Sequence, residues 1–290
     1  MKLTHTKAVF LMIAVALMWS TAGVVTRHLE HAARFEITFW RSLFTMLSLL
    51  VLLPVFQGRD VFAKLRHAGL ALWLSGVCWA FMFTAFMVAL TLTSVANVLV
   101  TMALGPLLTA LMARIFIGHK IPARTWGAIA LAGVGIAYMF GAQVSTGQLA
   151  GTLVALLVPI AGAANWTITQ KSHAGGHDVD LVPAVFVGAV LSTLLSLPLA
   201  FPFQASAHDV RLLALLGVGQ LAIPCTLSVV CARVLKAPEM SLLALLEVVF
   251  GIALAWAFAG EAPGSTVLVG GALVIGALVT NELLGWRERW

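Results

Sequence analysis

The chain has 290 residues, of which 61% are hydrophobic and only 10% are charged. Soluble globular proteins contain about 45–50% apolar and about 25% charged residues, so this chain has too little charge to cover a water-soluble enzyme. The same figures exclude an intrinsically disordered chain, which needs low hydrophobicity and high charge. The composition therefore indicates a polytopic membrane protein.

Ten stretches of the sequence are apolar and long enough to cross a bilayer, which takes a helix of about 20 residues. In chain order they cover residues 8–27, 35–56, 68–90, 93–115, 125–141, 149–170, 181–201, 212–234, 240–259 and 266–285. The connections between them are short, and none is long enough to fold as a soluble domain. The sequence therefore predicts an all-α polytopic membrane protein with ten transmembrane helices.

The lysines and arginines are distributed unequally between the two sides of the predicted bundle. Most of the 17 fall on the side that holds both termini, whereas Arg27, Arg34 and Arg211 fall on the other and Arg41 lies within the second span. Because cytoplasmic loops are enriched in these residues, both termini are predicted to be cytoplasmic. The net charge of +6 is thus explained by topology, and no basic helix with interleaved aromatic residues indicates nucleic-acid binding.

Residues that could carry metal or redox chemistry are scarce in the spans. Cys78, Cys225 and Cys231 lie in predicted helices without CxxC spacing, which favours neither a disulfide nor a metal site. The segment 173–180 contains histidines and aspartates, but Gly175-Gly176 within it predicts a flexible loop. No cofactor, metal or catalytic residue is predicted, and the sequence favours neither an intramembrane enzyme nor a channel with a ring of charges.

The two halves of the chain resemble each other. Residues 104–118 read LGPLLTALMARIFIG and residues 246–260 read LEVVFGIALAWAFAG, and a Gly-rich span follows each. Because five spans is an odd number, the second copy would be inserted upside down relative to the first. The sequence thus predicts two inverted five-helix repeats, residues 1–141 and 149–290, an architecture of transporters with a substrate site near the midplane.

Aromatic residues lie unusually deep in two of the predicted spans. Trp19 and Trp79 are each about 17 Å into their helices, whereas most tryptophans of membrane proteins lie at the membrane interfaces. Trp79, Phe83 and Met87 follow one helix face at i, i+4 and i+8. This face is either ordinary helix packing or an apolar slot for a flat or bulky substrate side chain.

Polar residues recur at mid-depth in the fourth, sixth and eighth spans. Those that could bind substrate are Asn97, Thr101, Asn165, Thr169, Gln220 and Ser228, with Trp166 next to Asn165. Lipid cannot satisfy polar groups, so these side chains are expected to face the protein interior. There they either bond one helix to another or contact substrate.

Three prolines lie well inside these same spans: Pro106, Pro159 and Pro224. Each proline removes a helical hydrogen bond and frees the carbonyl four residues earlier, which for Pro106 is that of Met102. A freed carbonyl can accept a bond from a substrate amine, and the proline can act as a hinge. A simple kink is the alternative.

Two charged residues lie clearly within the predicted spans. Glu247 is about 11 Å deep in the ninth, where an ionisable residue is a functional hypothesis by default. It could bind a substrate amine, carry a coupling proton, or only bond a neighbouring helix. Arg41 could extend outward to the interface, pair with a carboxylate of the protein, or bind a substrate carboxylate.

Short motifs along the chain resemble one known family. They are Trp19-Ser20, Phe39-Trp40-Arg41-Ser42, Gly105-Pro106, Leu246-Glu247 and Gly260-Glu261. In this order and spacing they resemble the EamA-type members of the drug/metabolite transporter superfamily, over nearly the whole chain. Within that superfamily the sequence is most similar to bacterial aromatic amino-acid exporters.

The resemblance implies a multi-pass protein of the bacterial inner membrane that exports small metabolites by alternating access. Aromatic or hydrophobic amino acids are the expected substrates; the alternative is export of other metabolites or drugs, proton-coupled through Glu247. The expected partners are the substrate and the lipid bilayer, and a monomer is expected. The chain departs from the family at His119-Lys120, where a Glu usually follows the Gly, and at Val248, where a Pro is common.

Overall fold

A computed structural model describes residues 3–66, 68–118, 122–143, 149–174, 181–232, 234–235 and 237–287. Within these ranges the regular structure is entirely helical. The helices are α1 (His5–Arg27), α2 (Arg34–Gln57), α3 (Val61–Arg66), α4 (Leu70–Leu92), α5 (Val95–Met102), α6 (Gly105–Ile117), α7 (Ala123–Gln143), α8 (Leu149–Ala174), α9 (Val182–Ala200), α10 (Ala207–Leu215), a π-helical segment (Leu216–Ala222), α11 (Ile223–Ala232), α12 (Ala237–Ala259) and α13 (Ser265–Arg287).

Eight helices in the described part of the chain are long and apolar enough to cross a membrane. They are His5–Arg27, Arg34–Gln57, Leu70–Leu92, Val95–Phe116, Leu149–Ile168, Val182–Ala200, Ala207–Cys231 and Ser265–Gly285. They coincide with eight of the predicted spans, while α7 and α12 lie over the fifth and the ninth. The all-helical membrane fold is therefore confirmed, and the count of ten spans stays a prediction.

Two of the predicted spans are built from more than one helical piece. The fourth is broken between α5 and α6, and Pro106 lies in the first turn of α6, where a proline costs no helical hydrogen bond. The eighth is interrupted by the π-helical segment, and Pro224 lies in the first turn of α11. Of the three prolines singled out in the sequence, Pro159 is the one that lies within an unbroken helix, α8. The prolines of the fourth and eighth spans thus lie next to irregular helical backbone.

Two glycines with left-handed backbone conformation follow α6 and α12. Gly118 follows α6 with φ 75° and Gly260 follows α12 with φ 65°. A left-handed residue after a helix is usually glycine because it has no Cβ to clash. The Gly-led turn that the repeated sequence predicts is therefore present at both positions.

The membrane-length helices pack pairwise. α4 packs on α8 and α9, α1 on α12, α2 on α9, α6 on α8, and α7 on α13. The α4–α9 approach is close, since a Cβ added at Gly188 would clash with the Trp79 Cβ. Small residues at such crossings let membrane helices come together. The π-helical segment packs on α1 and α2, and α2 also packs on α4, so these four elements surround a common interior.

Candidate substrate-binding site

A buried arginine lies at the centre of this interior. The Arg41 side chain is 1% exposed, and its Nε and Nη2 both donate to Oε1 of Gln220, at 3.1 and 2.8 Å. Nη1 donates to the carbonyl oxygen of Phe83 at 3.4 Å, and the guanidinium carbon lies 5.5 Å from the ring centroid of Phe86. Arg41 therefore does not extend to the interface. It joins α2 to α4 and to the π-helical segment.

Gln220 lies in the π-helical segment and contacts two other helices. Its Nε2 donates to the carbonyl oxygen of Trp19 at 3.3 Å, so the amide bridges α1 and α2. The segment lies very close to α2, because a Cβ added at Gly217 would be 2.7 Å from the Arg41 carbonyl oxygen. The Thr45 hydroxyl donates to the Gly217 carbonyl oxygen at 3.1 Å. Short π-helical stretches are frequent at functional sites.

Glu247 on α12 is the second charged group of the interior. Protein surrounds its side chain, which is nevertheless partly accessible. It lies within electrostatic range of Arg41 and Cys225. No cation or hydrogen-bond donor of the described residues lies within bonding distance of its carboxylate. The interior thus combines an accessible carboxylate with a buried guanidinium that does not touch it.

Aromatic side chains line the same region. The rings of Trp79 and Phe83 have centroids 5.5 Å apart, and both pack with Trp19 in one apolar cluster. The Trp19 indole also lies near the Cys225 thiol. Met87, one turn beyond Phe83, is fully buried in a separate core cluster. The predicted aromatic face is therefore divided, and only its Trp79–Phe83 part adjoins Trp19 and Arg41.

Several predicted polar residues make local or helix-to-helix bonds. The Asn97 Nδ2 donates to the Thr93 hydroxyl at 2.8 Å, and the Thr101 hydroxyl donates to the Asn97 carbonyl oxygen at 2.7 Å. The Ser75 hydroxyl donates to Oδ1 of Asn165 at 2.6 Å, which joins α4 to α8. The Ser75–Asn165 bond is of the kind that ordinarily holds membrane helices together, whereas the bonds of Asn97 and Thr101 are local.

The remaining predicted residues lie apart from Arg41 or bond within their own helix. Trp166 is 46% exposed on the outer surface of α8. The Ser228 hydroxyl donates to the Cys225 carbonyl oxygen at 2.8 Å, and Met102 packs at the edge of the main core at the end of α5. The side chain of Thr169 lies outside the described residues.

A chain of hydroxyl groups next to Arg41 escapes prediction from the sequence. The hydroxyl of Ser192 on α9 lies 2.9 Å from that of Ser42 on α2 and 3.0 Å from that of Thr84 on α4. Single serines and threonines in apolar helices carry no signal of this kind, because their partners are far away in the chain. The motif Phe39-Trp40-Arg41-Ser42 is the sequence feature that singles out this part of α2.

Acidic side chains connect the helices and loops at one end of the bundle. This is the end at which α1 ends, and it is here called the Arg27 end. Nε of Arg27 donates to Glu261 at 2.6 Å, and Nη1 and Nη2 donate to the carbonyl oxygens of Leu90 and Thr93, at 2.7 and 2.8 Å. The other carboxylate oxygen of Glu261 accepts the backbone N–H of Val95 at 2.6 Å. The Arg27–Glu261 ion pair thus joins α1, the end of α4, the start of α5 and the turn that follows α12.

Two further carboxylates act in the same way at the Arg27 end. Asp209 accepts the backbone N–H groups of residues 30–32, at 2.9, 3.0 and 3.2 Å. Glu36 accepts those of residues 204 and 205, both at 2.9 Å. Each carboxylate binds a loop that connects two other helices. The loops at this end are therefore fastened to one another.

A cavity of about 180 Å³ lies elsewhere, between α7 and α13. Arg124, Thr280 and Asn281 contribute its polar lining. It contains none of the residues around Arg41. It is therefore a separate feature of the surface.

Comparison with known proteins identifies part of this architecture. Residues 6–141 match the EamA-like transporter family. A solved crystal structure shares the fold, with a TM-score of 0.66 at 19% identity over 97% of this chain and 99% of that chain. No curated protein sequence matches. The first half of the chain is thus similar to an EamA-like transporter domain, and the eight long apolar helices in the described part of the chain are those of a multi-pass membrane protein.

Proposed function

We propose that the protein exports amino acids with aromatic or hydrophobic side chains across the bacterial inner membrane by alternating access. The observation that carries this proposal is the accessible Glu247 carboxylate, which no described residue neutralises by direct contact. A carboxylate in this position suits a substrate ammonium group. Trp19, Trp79 and Phe83 offer aromatic faces for an apolar side chain and for the cation itself.

The proposal includes two inverted repeats, residues 1–141 and 149–290. Its support is that α2 packs on α9 and α7 on α13, which are equivalent helices of the two halves. The α4–α8 contact likewise has its counterpart in the contact of α1 with α11 and the π-helical segment. Such pairing is expected when two copies are related by an axis in the membrane plane.

In the proposed orientation both termini are cytoplasmic, and the Arg27 end faces the periplasm. The three carboxylates Glu36, Asp209 and Glu261 then close the bundle on the periplasmic side. We infer that substrate reaches the interior from the cytoplasm in this state. Export requires these contacts to break and the cytoplasmic side to close in turn.

Transport by purified protein tests the proposal. In proteoliposomes, labelled Phe or Trp should be taken up with saturation, and unlabelled apolar amino acids should compete. Glu247→Gln should lower this uptake by about tenfold or more, since a hydrogen bond to a charged group contributes about 1.5–3 kcal/mol. Glu30→Gln is the matched control, because the side chain of Glu30 is 63% exposed. Absence of saturable uptake by folded protein would contradict the proposal.

A second candidate is proton-coupled export of other metabolites or drugs through Glu247, which is favoured because no described residue pairs with the Glu247 carboxylate. A proton gradient should then drive uptake in the wild-type protein. Glu247→Gln should abolish this dependence while gradient-independent exchange continues. If Glu247→Gln transports normally with the same dependence on pH, a proton role for Glu247 is excluded.

A further inference from the structure

We propose that Arg41 and Gln220 form a masked carboxylate site, in which the Gln220 amide oxygen occupies the position that the substrate α-carboxylate takes during transport. This inference deepens the proposed function and rests on it. It makes the substrate class zwitterionic: the ammonium group binds Glu247 and the carboxylate binds Arg41.

The first support for this inference is the hydrogen-bond geometry around the Arg41 guanidinium. Two N–H groups on one edge of Arg41 converge on a single oxygen of Gln220, at 3.1 and 2.8 Å. Arginine commonly presents such a pair of N–H groups to a carboxylate. Here the acceptor is a neutral amide, which imitates a carboxylate oxygen without its charge.

The second support is the balance of charge around Arg41 and Glu247. Arg41 is fully buried, yet no carboxylate in the described part of the chain lies within ion-pair distance of its guanidinium. A buried charge without a bonded counter-ion is costly and marks a functional site in a membrane helix. Glu247 lies in electrostatic range but does not bond it. A zwitterion would supply the missing partner for both groups at once.

A change in the π-helical segment would allow Gln220 to move away from Arg41. A π-turn holds one residue more than an α-turn, and here the Ile223 N–H bonds the Val218 carbonyl oxygen. Return to α-helical geometry would turn Gln220 about the helix axis and away from Arg41. Its second bond, to the Trp19 carbonyl oxygen at 3.3 Å, is long and gives little resistance. Arg41 would then be open to a substrate carboxylate.

Three related ligands test the inference by thermal-shift titration of the purified full-length protein. Phenylalanine carries both charges, phenethylamine lacks the carboxylate, and 3-phenylpropionate lacks the ammonium group. The wild-type protein should bind phenylalanine about tenfold or more tightly than phenethylamine, because a charged hydrogen bond is lost. It should not bind 3-phenylpropionate, which Glu247 repels.

Variants of Gln220 separate this inference from a purely structural role. Gln220→Ala removes the competing oxygen and should raise the preference for phenylalanine over phenethylamine by about tenfold. Gln220→Glu places a permanent carboxylate on Arg41 and should abolish that preference. Ser42→Ala is the matched control, since it removes a buried hydroxyl beside Arg41 that bonds Ser192 instead. This control should leave the preference unchanged.

The results distinguish the two proposals. Equal binding of phenylalanine and phenethylamine by the wild-type protein, or an unchanged preference in Gln220→Glu, overturns the masked carboxylate site and leaves the proposed export with Glu247 as the ammonium site intact. Folded wild-type protein that binds neither ligand and transports neither overturns the proposed function, and the carboxylate site with it.

Discussion

Asn165 illustrates how a single polar side chain in a membrane helix is ambiguous. By sequence it is a candidate for substrate contact, whereas in the structure its Oδ1 accepts a hydrogen bond from Ser75 at 2.6 Å. Interhelical bonds of this kind contribute about 0.6–2 kcal/mol. The contact between α4 and α8 therefore accounts for one polar atom of Asn165.

We expect Asn165→Ala to destabilise the protein by about 1 kcal/mol without changing the relative affinity for phenylalanine and phenethylamine. Unfolding in detergent measures the first quantity and ligand titration the second. Ser75→Ala should give a similar loss of stability, since it removes the other partner. A tenfold loss of phenylalanine affinity in a stable Asn165→Ala protein would instead assign Asn165 to the substrate.

Arg41 marks the limit of prediction at the scale of residues. The position of Arg41 within its predicted span is compatible with extension of the side chain to the interface, with an ion pair and with binding of a substrate carboxylate. Its actual partner, Gln220, lies 179 residues away in the chain. Both residues are recognisable as polar groups in apolar helices, but their pairing depends on how α2 packs on the π-helical segment. No local pattern contains that information.

The interrupted helices matter most among the secondary-structure elements. Hydropathy predicts the positions of the spans well, because the apolar length of a helix is a local property. The prolines indicate where the fourth and eighth spans are irregular. The break between α5 and α6 and the π-helical segment are not predictable in detail, because tertiary packing selects among kink, break and π-turn.

We expect Gly217→Val to disrupt the contact between the π-helical segment and α2. A Cβ at Gly217 would lie 2.6 Å from the Phe44 Cβ and 2.7 Å from the Arg41 carbonyl oxygen, and backbone cannot move aside easily. Overpacking of this kind costs about 1–3 kcal/mol. Thermal unfolding should report the loss, and uptake of labelled phenylalanine should fall.

Gly219 provides the control for this substitution within the same segment. The nearest atom to an added Cβ there is Leu215 Cδ1 at 3.7 Å, which is ordinary contact. Gly219→Ala should therefore keep near-normal stability and uptake. If Gly217→Val is as stable and active as Gly219→Ala, the close packing of the segment on α2 is not required for function.

At the scale of the whole molecule, the Arg27 end is held by backbone N–H groups that bind carboxylates. Glu261 accepts from Arg27 and from the Val95 N–H, so it contributes to closure of the proposed periplasmic side. The ion pair is partly exposed, with side-chain exposures of 29% and 21%. Its net contribution is accordingly smaller than that of a buried pair.

We expect Glu261→Gln to open the Arg27 end more often. In a protein whose other cysteines are removed by Cys78→Ala and Cys231→Ala, the buried Cys225 reports access to the interior. A membrane-impermeant maleimide added from the periplasmic side should label Cys225 about three- to tenfold faster in Glu261→Gln than in the parent, since a charged hydrogen bond is lost. An unchanged labelling rate would show that Glu261 does not control this side.

The short helix α5 has a consequence for how the membrane itself affects transport. Seven of its eight residues, Val95 to Thr101, are buried within the protein, while Glu261 holds its first N–H. A helix that is surrounded by other helices of the protein can shift without deforming the lipid bilayer. If movement of α5 limits the transport rate, that rate should vary little with acyl-chain length, because no hydrophobic mismatch changes in the step.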